Sequence, residues 1–174
     1  MVTGGRRRAL VSAALLLAAA CVAHAGDARP SGRRALARQA RVIAVARCTA
    51  VRSSWNAERT LISTYATYEV EEAVTGAAPG DHVLVKALGG TVGSLSQFVV
   101  DGPRFEVGSR DVLFLVAADE PGALRTVGLG RGQWRVATDP VRGEDVVIGE
   151  SEQTAAPARE PLGAVLEDLR QDRQ

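Results

Sequence analysis

The chain has 174 residues, 46% hydrophobic and 24% charged, which suits one domain with a real core and excludes global disorder. Its 21 basic and 20 acidic residues nearly balance. With no basic cluster beyond the extreme N-terminus, the charge pattern points away from nucleic acid as a partner.

Arg6, Arg7 and Arg8 precede the apolar run Ala9 to Ala20, and the small-x-small pattern Ala23-His24-Ala25 follows. A positive region, an apolar region too short to span a bilayer and a cleavage site, in that order, predict a secretory signal over 1–25. The protein is therefore expected to be exported, to the periplasm or beyond. Removing those three arginines leaves 18 basic against 20 acidic residues. Cys48 would then be the lone cysteine, unable to form an internal disulfide, and its apolar setting (VIAVARCTAV) predicts burial. A rival reading takes Ala18-Ala19-Ala20-Cys21 as a loose lipobox, which would make Cys21 a lipidated N-terminus. The position three before that cysteine is Ala rather than the usual Leu, which favours cleavage after Ala25. No later segment has the ~20 consecutive apolar residues of a membrane helix, so no span is expected.

The stretch 26–40 reads as a polar linker followed by a short helix, with Leu36 and Ala40 on one face, or as the lead into the first strand. Arg41 to Val51 is a strand with two apolar faces: Val42, Ala44 and Ala46 on one, Ile43 and Val45 on the other. Arg52 to Arg59 reads as a polar turn containing Trp55 and Asn56. Thr60 to Val74 alternates, with Ile62, Ala66, Tyr68, Val70 and Val74 on one face, and its length predicts a bend or bulge. His82 to Leu88 is a further strand. After the glycine-rich segment, short strands are expected at Gln97 to Val100, Arg104 to Val107 and Asp111 to Ala117, the last a continuous apolar run. TVGLG, GQWRVAT and EDVVIGE add short strands, with Trp134 expected in the core. A polar linker over 151–174 ends in a helix whose stripe is Leu162, Val165, Leu166 and Leu169, with Pro161 at its start. About seven short strands with glycine turns and two small helices predict a mainly β fold, a small barrel or sandwich over 41–150.

The order VIAVARCTAV, then TLISTYATYEVEEAVTGAAPGDHVLV, then FEVGSRDVLFL resembles the netrin-like module shared with tissue inhibitors of metalloproteinases. Tyr65 to Val74, Thr75-Gly76 and Val107-Gly108 through Leu115 carry the likeness, which covers Arg41 to Ala117. The GGTVG-type segment is closer still to secreted bacterial proteins of the same outline that have no characterised role. The resemblance implies an OB-type β-barrel and a binding or interaction module, with proteases as one associated class. The inhibitors use a disulfide-held N-terminal cysteine at their target's metal. Cleavage after Ala25 puts Gly26 at the terminus with no disulfide partner, so that mechanism transfers to no residue of this chain.

Among sites, LGGTVGSLSQF (Leu88 to Phe98) lacks the lysine and following helix of a phosphate loop, and lacks the final glycine of a nucleophile elbow. One histidine and one cysteine beyond the signal do not make a zinc site. Glu69, Glu71 and Glu72 read as a solvated strand face rather than a calcium site. No catalytic, metal or cofactor site is predicted. The leading expectation is a non-enzymatic module that binds an envelope or extracellular protein through loops at a barrel rim. The candidate surface is Trp55, Asn56, Gly89, Gly90, Thr91, Gly93, Ser94, Ser96 and Gln97. The alternatives are a hydrolase using Ser94, Ser96 or His82, and a structural lipoprotein anchored at Cys21.

Overall fold

The computed structural model describes residues 32–150 and 157–173. The predicted signal segment, the possible lipidation at Cys21 and most of the first linker lie outside the described residues. In chain order the elements are α1 (Gly32–Gln39), β1 (Val42–Trp55), β2 (Ile62–Thr75), β3 (His82–Leu88), β4 (Gly90–Val92) and β5 (Leu95–Gln97). Then come β6 (Arg110–Ala117), β7 (Ala123–Thr126), a 3-10 turn (Leu129–Gly132), β8 (Gln133–Thr138), β9 (Asp145–Glu150), β10 (Pro157–Pro161) and α2 (Leu162–Gln171).

The fold is mainly β. One eight-stranded sheet runs in the order β1-β2-β3-β7-β6-β8-β9-β10, and β6 also pairs with the first half of β1. The ladder β1-β2-β3-β7-β6 therefore returns to its start, with β3 and β7 parallel and the other pairs antiparallel. The short hairpin β4–β5 stands apart as a second sheet.

The two apolar faces of β1 explain the layering. Val42, Ala44, Ala46 and Cys48 point into the cycle, where they meet Ala66, Tyr68, Val70, Val85, Leu113 and Leu115. Ile43 and Val45 point outward into a second core under both helices, with Val112, Phe114, Val136 and Val147. Leu162, Val165, Leu166 and Leu169 of α2 and Leu36 and Ala40 beside α1 close this layer. Burying each α2 side chain contributes at most about 1.5–3 kcal/mol, enough to hold a ten-residue helix that would be marginal alone. Trp134 is half-buried rather than central. Its ring lies 4.7 Å from Phe114 and its Nε1–H donates to the Arg131 carbonyl at 2.9 Å.

The long β2 does carry irregularities. Against β1 its pairing slips between Ile43 and Ala44, between Val45 and Ala46, and between Cys48 and Ala50. Each slip reverses which side chains face the interior. Val74 consequently packs against the outer core and not with Tyr68 and Val70 as strict alternation predicted.

Several local expectations need correction. β1 continues to Trp55, so Arg52 to Trp55 is strand and the turn begins at Asn56. Gln97 to Val100 is not a strand: β5 ends at Gln97. Arg104 to Val107 is irregular chain fastened to β8, because the Arg104 N–H donates to Gln133 Oε1 (2.8 Å) and Gln133 Nε2 donates to the Arg104 carbonyl (2.7 Å). The sheet also extends past 150, where Pro157 to Pro161 pairs with β9. Two prolines and two charges in five residues concealed that edge strand.

Candidate functional site

LGGTVGSLSQF builds the separate hairpin. β4 and β5 pair Gly90 with Gln97, Thr91 with Ser96 and Val92 with Leu95, which leaves Gly93 and Ser94 as a two-residue loop. Gly93 has φ 62°, the left-handed conformation that such loops require, and a Cβ there would meet nothing within 4 Å. Gly90 serves a different need. At φ 132°, its Cβ would lie 2.2 Å from Thr64 Oγ1 and 2.5 Å from Ser53 Oγ. Thr64 donates to the Gly89 carbonyl at 2.7 Å and accepts from Ser53 Oγ at 2.8 Å. The hairpin backbone thus lies directly on the side chains at the distal end of β1 and β2.

Gln97 fastens it there. Its Oε1 accepts the Ile62 N–H at 2.6 Å and its Nε2 donates to the Thr60 carbonyl at 3.1 Å. Asn56 shapes the adjoining β1–β2 turn: its Oδ1 accepts from the N–H groups of Thr60 (2.8 Å) and Leu61 (3.0 Å). Trp55, half-buried, ends β1 opposite Ile62. Ser94 sits at the exposed hairpin tip, and Ser96 shares a 2.8 Å hydrogen bond with Thr91 Oγ1. His82 is exposed where β3 begins, and among the described residues no hydrogen bond joins it to either serine.

Between the hairpin and β8 opens a cleft of about 1120 Å³. Gly89, Gly90, Thr91 and Gln97 line it, whereas Trp55, Asn56, Gly93, Ser94 and Ser96 do not. Val51, Ser53, Thr64 and Ala87 form the wall from the interior face of β1–β3. The chain from Phe98 to Phe105 forms the opposite lip. It is tied down at Asp101, whose carbonyl accepts the Gly130 N–H at 2.7 Å, and by the Arg104–Gln133 pair.

The cleft floor is a polar network absent from the sequence-based expectations. Asp111 is fully buried. Its Oδ2 accepts from Tyr68 Oη (3.0 Å), Ser109 Oγ (3.0 Å) and Gln133 Nε2 (3.2 Å). Its Oδ1 lies 3.0 Å from Arg135 Nε, close enough to balance charge. The direction of approach makes no hydrogen bond, however, so Oδ1 receives none among the described residues. Burial, and then the neighbouring Asp111 carboxylate, push the Tyr68 hydroxyl far above its ordinary range and hold it neutral. The same two causes, in the same order, push up the Cys48 thiol, which is buried as expected.

Arg104 and Arg131 stand exposed at the rim, and among the described residues neither makes an ion pair. Around the hairpin mouth, Leu88, Leu95, Phe98 and Val100 expose apolar surface, Phe98 to 91%. Two carboxylates of β2 are engaged elsewhere. Glu71 pairs with Arg47 and Arg110, both at 2.7 Å, and Glu72 pairs with Arg170. Among the described residues no three potential ligands gather as a metal site, and no helix is long and apolar enough to cross a membrane.

One signal for the floor was present in the sequence. Asp111 shares strand parity with Leu113 and Leu115, whose side chains fill the same interior as Tyr68. A charge in that register demands partners. Compared with protein-family models, curated proteins and solved structures, the chain matches none.

Proposed function

We propose that this protein is an exported, non-enzymatic binding module whose ligand enters the cleft between the β4–β5 hairpin and β8. The observation that carries this reading is the cleft itself. About 1120 Å³ of space brings together Val51 and Ala87, the hydroxyls of Ser53 and Thr64, and, among the described residues, two rim arginines without an ion pair and a buried carboxylate oxygen without a hydrogen-bond donor. Binding sites for small or extended ligands are concave and orient their occupant through a few converging polar groups. The cyclic strand order, with β3 parallel to β7, supports an OB-type barrel, a fold that binds through its loops and one sheet face. The hydrophobic segment after Arg6 to Arg8 supports export.

A photo-crosslinking residue at Phe98, on the cleft lip, tests the assignment in the native envelope. Val141, equally exposed at 91% on the β8–β9 turn, is the control position. Adducts are expected at position 98 and not at 141, and Ala87→Phe, which fills the cleft wall, is expected to abolish them. Equal adducts at both positions, or adducts indifferent to the filled cleft, would refute the reading.

A further inference from the structure

The second half of β1 offers a free sheet edge to this cleft. β1 pairs with β6 only from Val42 to Arg47. Cys48 extends that contact through its N–H to the Ser109 carbonyl and its carbonyl to the Gly108 N–H. From Thr49 to Trp55 the only ladder partner among the described residues is β2, on the opposite side.

Two separate hydrogen bonds fix which backbone groups point into the open side. The Asn56 N–H donates to the Leu61 carbonyl at 2.8 Å, so Asn56 faces β2. Ile62, the partner of Trp55, instead turns its N–H to Gln97 Oε1 and its carbonyl to the Gly89 N–H, away from β1. Trp55 and Ile62 are therefore a non-hydrogen-bonded pair. By the alternation of antiparallel ladders, Val51, Ser53 and Trp55 direct their N–H and C=O groups outward from β2. Val51 and Ser53 also line the cleft. A row of unpaired amides and carbonyls bordering a cavity is a template for an added strand.

We propose that the ligand of this cleft is an extended peptide that adds a strand along Val51, Ser53 and Trp55. This rests on the cleft being the binding site and names the class of molecule that fills it. The floor selects one side chain of that peptide. Asp111 Oδ1 needs a donor, but Arg135 already lies 3.0 Å away, so a second cation would be repelled. A neutral donor, the hydroxyl of Ser or Thr or the amide of Asn or Gln, satisfies the oxygen at no electrostatic cost. Backbone pairing supplies affinity, and this pocket supplies preference at one position in the peptide.

The test is selection of the full chain against a random peptide display library, followed by hydrogen exchange with a synthetic version of the enriched peptide. Enriched sequences are expected to share Ser, Thr, Asn or Gln at one fixed position. Added peptide is expected to slow exchange at least tenfold at the Val51, Ser53 and Trp55 amides. N-methylation of alternate peptide bonds, in the phase that removes the pairing N–H groups, is expected to weaken binding at least tenfold. Ser53→Pro deletes one outward N–H and is expected to do the same, with burial of Cys48 checking that the variant is folded. Failure to enrich any peptide overturns the proposal, as does binding indifferent to N-methylation in either phase. Protection at Arg104 and Gln133 without change at the three β1 amides also overturns strand addition, yet leaves the cleft standing as the site. Enrichment with no fixed donor position overturns the Asp111 contact. The crosslinking comparison at Phe98 and Val141 judges the cleft independently.

Discussion

Tyr68→Phe isolates the polar floor of the cleft. The substitution removes one hydroxyl, keeps the ring that meets Phe105 edge-on at 6.1 Å, and leaves Asp111 Oδ2 with Ser109 and Gln133. Both partners of the lost 3.0 Å bond are fully buried, and a hydrogen bond of that kind to a charged group is worth about 1.5–3 kcal/mol. Because Oδ2 keeps two donors, a loss of about 2 kcal/mol is expected at pH 7. The difference then depends on pH in a way that a simple packing loss would not. The folded state holds the Tyr68 hydroxyl well above its ordinary value, chiefly through burial. Its contribution is therefore complete below the unfolded value of about 10, and it declines above that by about 1.4 kcal/mol per pH unit. Wild type carries this loss and Tyr68→Phe does not, so the gap closes as pH rises and the two stabilities meet near pH 11.5, by about the same arithmetic. Urea unfolding followed by tryptophan fluorescence at a series of pH values from 7 to 11.5 measures both curves. A gap that stays constant across that range, or no gap at pH 7, would refute the argument that a buried Tyr68–Asp111 bond organises the floor.

The hairpin glycines should separate. Gly90→Ala forces a Cβ onto two hydroxyls and is expected to cost more than about 2 kcal/mol, measured by urea midpoint, with accelerated exchange in β4–β5. Gly93→Ala meets only its φ of 62° and is expected to cost about 1 kcal/mol. Equal effects would contradict the contact with Ser53 and Thr64. In a chain beginning at Gly26, Cys48 should resist a thiol reagent under native conditions and react fully only in denaturant, since burial raises its pKa and blocks access. On the acid side, the Arg110 guanidinium holds the Asp145 carboxyl below its usual range through a 2.6 Å contact, aided by the Thr138 hydroxyl. That contribution is present above about pH 4 and fades as pH falls through the depressed value, so Arg110→Ala should flatten the acid limb of the stability curve. An unchanged acid limb would show that the pair contributes nothing.

Periodicity marked β1 as an interior strand through its two apolar faces, and in the structure each of those faces meets its own core. The stripe of α2 followed from the same logic, whereas the segment that forms α1 read either as a short helix or as the lead into β1. Register slips were less visible. They add no distinctive residue, yet they moved Val74 to the outer core. Part of the site was legible in its glycines: Gly90 marks the close approach of the hairpin backbone to the Ser53 and Thr64 hydroxyls. The floor was not, because Asp111, Tyr68, Gln133 and Arg135 come from three strands and converge only through sheet pairing. Read along the chain, Asp111 merely begins an apolar run.

A ligand in the cleft between the β4–β5 hairpin and β8, as proposed above, must perturb the amides that line it. Amide chemical-shift mapping of isotope-labelled protein in native envelope extract tests it most directly. Perturbations are expected to concentrate at Gly89, Gly90, Arg104 and Gln133, with α2 unmoved. Perturbations confined to α2 and the β9–β10 edge, or a spectrum identical to that of the protein alone, would contradict it.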